Sequence, residues 1–290
     1  MSKKAVNMVL VVIIILLSLI ASSYGFFSNE TIHEGKTIMT LNGESVELYG
    51  KGIYNNESIS YAAQARAQDL VTLIIGLPLL IVSLILSNKN SIKGKLLLTG
   101  TLGYFLYTYI SYSFLVTYNG FFLIYVALMS LSFFSFVLNI TSGELKGLEK
   151  RFEQKFPRKY IGIVNIIMGM GICLLWLGMI IPSIGVIPSV LEHHTTFVIQ
   201  ALDLGFIVPV AILSGVLLIK NKSLGYLLTS VFIIKGTTLV LAVCMMAIFM
   251  IVSGVKVTIV EITMFPLIAL ICIINLYLLL KNLKTNGKGC

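Results

Sequence analysis

The chain has 290 residues, of which 57% are hydrophobic and 11% charged, with a formal net charge of +9 and a mean hydropathy of +0.98. A soluble helical protein of this length would pair apolar stripes with polar faces. Here uninterrupted apolar runs of about 20 residues recur, the length a helix needs to cross a hydrocarbon core of roughly 30 Å. No nucleic-acid motif or basic-aromatic surface accompanies the positive charge, so nucleic acid is not expected as a partner.

Lys3 and Lys4 precede a first apolar run, Met8 to Ala21, that extends toward Phe27. Ala21-Ser22-Ser23 offers a small-residue end of the kind a signal peptidase accepts, but the run is read as a retained first helix. Residues 28–66 form the one sizeable polar segment. Within it Thr37–Leu41 and Glu44–Leu48 flank Asn42-Gly43, which predicts a small β-hairpin closed by a type I′ turn. A helix rich in alanine and glutamine then begins outside the bilayer and continues as the second span, about Asp69 to Ser87, with Gly76 and Pro78 as a possible kink.

The third span, Leu96–Phe114, carries Thr101, Tyr104, Thr108 and Ser111 at helical spacing. Phe121–Ile140 is the fourth. In the basic connector 141–160, Leu145, Leu148, Phe152 and Phe156 follow a 3-4-4 spacing. That pattern predicts a helix lying on the membrane surface, its lysines and arginines facing anionic headgroups, or else a plain connector. Spans five to eight are Ile161–Ile181, Phe197–Ile219, Tyr226–Val252 and Val257–Leu280, and a basic tail ends the sequence.

Lysine and arginine placement sets an orientation. Segments 1–4, 88–95, 141–160, 220–225 and 281–290 hold 16 of the 21 positive residues, and the alternate segments hold four: Lys36, Lys51, Arg66 and Lys256. By the positive-inside rule both termini face the cytoplasm and eight crossings follow.

Two stretches resemble each other. Asp69-Leu70 and Asp203-Leu204 each open an apolar run that ends in a short basic turn, followed by Gly94 or Gly225. Ten residues past each glycine stands Tyr104 or Lys235. Matching the aspartates requires a gap. The expected fold is therefore an all-α integral membrane protein of about eight transmembrane helices. It comprises two parallel four-helix repeats, 1–140 and 161–290, the connector 141–160, and a small extracytoplasmic hairpin after the first helix.

Lys235 is the residue that most needs explaining. Counting about 1.5 Å per residue from Gly225 puts it roughly 15 Å into the membrane. A charge at that depth costs at least about 2.5–3.5 kcal/mol, so it is expected to face the bundle interior. By the same count Arg66, Asp69, His193, His194, Asp203 and Glu261 lie toward the outer face. Together with Tyr104 they form the candidate solute-binding set, an outward-open polar vestibule with Lys235 near its floor. Asp69 also has a plainer role beside Arg66 at a helix start.

No metal site and no cofactor are expected. Glu192, His193, His194 and Asp203 are permissible ligands, but adjacent histidines should diverge and no HExxH spacing occurs. Cys173, Cys244 and Cys272 lie in apolar runs, Cys290 is terminal, and no CxxC pair exists. Catalytic motifs for hydrolase or nucleotide chemistry are missing. The leading expectation is a prokaryotic plasma-membrane protein that binds or moves a small solute, an anion being the kind that Lys235 would suit. The alternatives are a membrane-embedded enzyme acting on a lipid or lipid-linked substrate, with Asp203 or His193 as acid or base, and a non-catalytic sensor or assembly subunit. The bilayer and a small-molecule ligand are the expected partners; the sequence names no protein partner.

Overall fold

A computed structural model of the chain describes residues 2–145 and 147–284; Cys290 and the end of the basic tail lie outside the described residues. Among the described residues there are eight long helices: α1 (Lys3–Phe27), α2 (Ile59–Asn88), α3 (Ile92–Phe114), α4 (Phe122–Ile140), α5 (Arg158–Ile180), α6 (Val198–Ile219), α7 (Ser223–Val252) and α8 (Ile259–Lys281). Ser2, Ser58 and Ser91 begin α1, α2 and α3 by accepting a hydrogen bond from the backbone N–H three residues on. Thr258 and Glu261 close a capping box at the start of α8.

Seven of these helices are long and apolar enough to cross a membrane, and the architecture is that of an all-helical, multi-pass membrane protein. The other, α3, is 23 residues long but carries threonines and tyrosines where its neighbours carry leucine and isoleucine. Fifteen of its residues are buried, which tells why it can be polar: it sits at the centre. It packs on α2, α4 and α7, while α7 packs on α2, α3, α6 and α8. The two helices approach closely because Gly100 leaves room for Ile234; a Cβ at Gly100 would stand 2.5 Å from the Ile234 Cβ.

The polar segment after α1 forms a two-stranded antiparallel hairpin, β1 (Thr37–Met39) and β2 (Ser45–Glu47), with Ile38 opposite Val46. Its turn differs from the expected type I′. Positive φ occurs at Gly43 and not at Asn42, and Thr40 pairs with Glu44 through the backbone, so the loop has three residues. The Thr40 and Asn42 side chains bond each other across it.

The connector 141–160 is not the expected surface helix. It consists of two short 3₁₀ turns, Gly143–Leu145 and Leu148–Arg151. Leu145, Leu148, Phe152 and Phe156 are buried among Tyr226, Leu227, Leu279 and Leu283. The 3-4-4 spacing was thus a signature of inward-facing residues, but the helix dissolves because the segment wraps over the bundle end instead of lying beside it. Backbone pairing of Phe152 with Leu283 and of Arg151 with Lys284 fastens the end of α8 there. At the same end Lys4 donates to Asn88 and Asn90, and Asn7 and Asn139 bond each other, so the basic segments assemble at one end of the bundle.

Structural features recur at a constant spacing of 131 residues. A five-residue π turn interrupts α2 at Thr72–Gly76 and α6 at Asp203–Ile207. Each is followed two residues later by a proline, Pro78 or Pro209. Proline cannot donate to the helix ladder, and the widened turn absorbs the mismatch: Leu77 N–H reaches back five residues to Thr72 and Val208 N–H to Asp203. Buried Ser83 and Ser214 each donate to the carbonyl three residues back. Asn90 and Asn221 both turn the chain in the left-handed region, with φ of 56° and 57°. This spacing also joins Gly94 to Gly225 and Tyr104 to Lys235, but it aligns Asp203 with Thr72 and not with Asp69. The gapped aspartate match is corrected accordingly.

Candidate functional site

The polar residues expected to share one vestibule fall into separate groups. The innermost is built on α7, α3, α6 and α5. Lys235 is 6% exposed, and its Nζ lies 3.7 Å from the centroid of the Tyr107 ring. The Tyr107 hydroxyl donates to Asp203 Oδ1 at 2.8 Å, and the Trp176 indole N–H donates to Oδ2 at 2.9 Å. Both carboxylate oxygens are thereby engaged by neutral donors, and Tyr107 links the carboxylate to the lysine, its hydroxyl on Asp203 and its ring facing Lys235 Nζ. No carboxylate lies within ion-pairing distance of Lys235 among the described residues. The lysine is held by an aromatic face and a relayed carboxylate, which leaves its three N–H donors without a contacting anion.

One helix away, Tyr104 is the centre of a second, fully buried group. Gln68 Nε2 donates to the Tyr104 hydroxyl at 2.7 Å and to Thr108 Oγ1 at 3.0 Å, and Thr72 Oγ1 is 2.9 Å from the same hydroxyl. Thr72 opens its π turn just as Asp203 opens the other. Thr72 thus bonds Tyr104 on the following helix directly, whereas Asp203 reaches Lys235 on its following helix only through Tyr107.

Asp69 belongs to neither group. It is 2% exposed, accepts from Tyr54 at 2.6 Å on Oδ2 and lies 3.1 Å from the Tyr112 hydroxyl on Oδ1, beneath Gly25 of α1. Arg66 does not bond it directly: its guanidinium donates to the Tyr49 hydroxyl at 2.6 Å and the Phe26 carbonyl at 3.3 Å. Glu261 is spent on its capping box, 2.8 Å from both Thr258 N and Oγ1.

His193 and His194 form a fourth group at the outer end with a residue that the sequence reading passed over, Glu57. Glu57 Oε1 accepts from Thr117 N at 2.5 Å, Oε2 stands 2.8 Å from His193 Nε2 and 3.6 Å from His194 Nε2. The adjacent histidines do not diverge. Glu192, just before them, adopts φ 50°, ψ −117°, a conformation that bends the loop back. The two rings end 4.1 Å apart, and Tyr61 packs edge-on to both. Burial holds the His194 imidazole down at about 4, against the opposing pull of the Glu57 carboxylate. An open cleft of about 370 Å³ adjoins the pair, lined also by Lys36, Asn56 and Thr117.

Of the missed residues, Tyr107 follows Tyr104 by one helical turn and extends the same polar stripe, so helical spacing could have found it. Nothing in the sequence links Glu57 to histidines 136 positions away. No protein-family model, curated protein or solved structure matches the chain.

Proposed function

We propose that this chain crosses the plasma membrane eight times with both termini in the cytoplasm, as two parallel four-helix halves, and that it binds and moves a small anionic solute at Lys235. The observation that carries this reading is the pair of π turns 131 residues apart, each followed by a proline, the first opening on a residue that bonds Tyr104 and the second on one that reaches Lys235 through Tyr107. Repeat-built transporters place their solute sites near mid-membrane, where irregular helices of the two halves meet. Irregular turns are also where helices most often carry function. Lys235 supplies the cationic recognition group, and Tyr107 and Asp203 orient it, while Tyr104 with Gln68 and Thr108 forms a separate hydrogen-bonded group that braces the neighbouring helices. The exposed basic residues at the inner end, such as Lys155, suit contact with anionic headgroups.

The test uses the purified full-length protein in detergent and in proteoliposomes, with a panel of small carboxylates, phosphate and sulfate. At least one anion is expected to raise the unfolding temperature of the wild type, by the equivalent of about 2.7 kcal/mol at a hundredfold excess over Kd. Lys235→Met keeps the side-chain volume and should abolish both that shift and uptake of the same radiolabelled anion. If no anion distinguishes wild type from K235M, the reading fails.

A further inference from the structure

The outer-end cluster has a chemistry that the Lys235 site does not use. Glu57, His193 and His194 come from opposite halves of the chain, and their side chains are 3%, 6% and 8% exposed. One ligating atom from each lies within 4.8 Å of the others. Tetrahedral coordination by two imidazole nitrogens and a carboxylate oxygen, with bonds of about 2.0–2.2 Å, sets neighbouring donors about 3.3 Å apart. The observed 2.8 Å and 3.6 Å separations bracket that value. His194 Nε2 and His193 Nδ1 are buried without a hydrogen-bond partner. Leaving such atoms unmatched is costly, and His194 Nε2 is aimed at the very carboxylate oxygen that His193 already holds.

We infer that Glu57, His193 and His194 form an outer-face site for a zinc-class divalent transition-metal ion, with a fourth coordination position open to the adjoining cleft. Two imidazoles favour zinc and its neighbours over calcium or magnesium, which take oxygen ligands. Three protein ligands with one open position are the arrangement of zinc sites that keep an exchangeable water or take a ligand. The Thr117 N–H bond to the other Glu57 oxygen orients the carboxylate from behind, as outer partners of metal ligands do. A bound ion would tie the loop before α6 to the start of α2 and to the turn between α3 and α4, fastening the two halves together on the outside.

The experiment titrates chelator-stripped full-length protein in detergent with Zn²⁺, and with Co²⁺ as the spectroscopic probe. We expect one ion per chain, visible Co²⁺ d–d bands of four-coordinate type, and a rise in unfolding temperature with Zn²⁺. Glu57→Gln retains an oxygen for Thr117 N–H and should fold normally, yet it and His194→Ala should each weaken Zn²⁺ binding by more than about tenfold, the scale of loss seen when even an outer partner is removed. His33→Ala and Lys235→Met should bind as the wild type does, so failure of the anion reading leaves this result intact. Absence of Co²⁺ bands, a sulfur-to-cobalt charge-transfer band, or E57Q and H194A binding unchanged would overturn the site and leave the cluster as a Glu57–His193 hydrogen bond.

Discussion

At the scale of single residues, Asp69 shows how a buried carboxylate is accommodated without a direct ion pair. Tyr54 donates to one oxygen and Tyr112 lies against the other, so the cost of removing the group from water is offset first by hydroxyls, with Arg66 making no direct bond. The arrangement depends on Gly25, where a Cβ would stand 2.0 Å from Asp69 Oδ2. Gly25→Ala is therefore expected to destabilise the protein by about 1–3 kcal/mol, the usual cost of overpacking. Because the clash is with Asp69 itself, adding Asp69→Ala should make the two changes non-additive by at least about 0.5 kcal/mol. Unfolding curves of the four proteins in one detergent measure this, and strict additivity would separate the two residues. From sequence Asp69 had a plain role at a helix start, with Arg66, three positions away, as its partner. The tyrosines that hold it come from the segment before α2 and from α3, and only packing brings them there.

At the scale of elements, the hairpins α2–α3 and α6–α7 close through the same device. An asparagine in the left-handed region turns the chain, and four residues later a glycine lets the returning helix touch the backbone of the outgoing one. A Cβ at Gly94 would meet the Leu86 carbonyl carbon at 2.4 Å, and one at Gly225 would meet that of Leu217 at the same distance. Backbone cannot yield as a flexible side chain can. Gly94→Ala and Gly225→Ala should each destabilise by about 1–3 kcal/mol, whereas Gly178→Ala, facing open space, should leave stability unchanged or raise it by up to about 1 kcal/mol. Thermal unfolding monitored by size-exclusion fluorescence distinguishes these outcomes; equal effects at all three positions would remove the role assigned to the turns. The glycines and basic turns were legible because they recur in sequence. The π turns were not. Pro78 signalled a kink, but nothing local marks where the ladder widens, so sequence alone matched Asp203 with Asp69, whereas the 131-residue spacing of the π turns places it opposite Thr72.

At the scale of the whole molecule, the basic segments gather at one end while the hairpin and the Glu57 cluster occupy the other. In a cysteine-free background, Glu44→Cys is expected to react with a membrane-impermeant maleimide on intact cells, and Lys155→Cys only after permeabilisation. The reverse pattern would invert the proposed orientation. The sequence by itself determined that this is a bundle of membrane-length helices, roughly where along the chain each lies, and how positive charge is apportioned between their connections. Those are local quantities: apolar length and charge counts need no knowledge of neighbours. It also identified Lys235 as a residue requiring an interior, because depth along a helix follows from rise per residue. Only the tertiary structure decided which way each polar residue faces. Depth says nothing of rotation about the helix axis, so residues that shared a level were expected to share a cavity, and they separate into Lys235 with Asp203, Tyr104 with Gln68, Asp69 with Tyr54, and the histidines with Glu57. The last of these joins positions far apart in the chain through a single bent residue, Glu192, and that is a property of packing which no spacing along the sequence encodes.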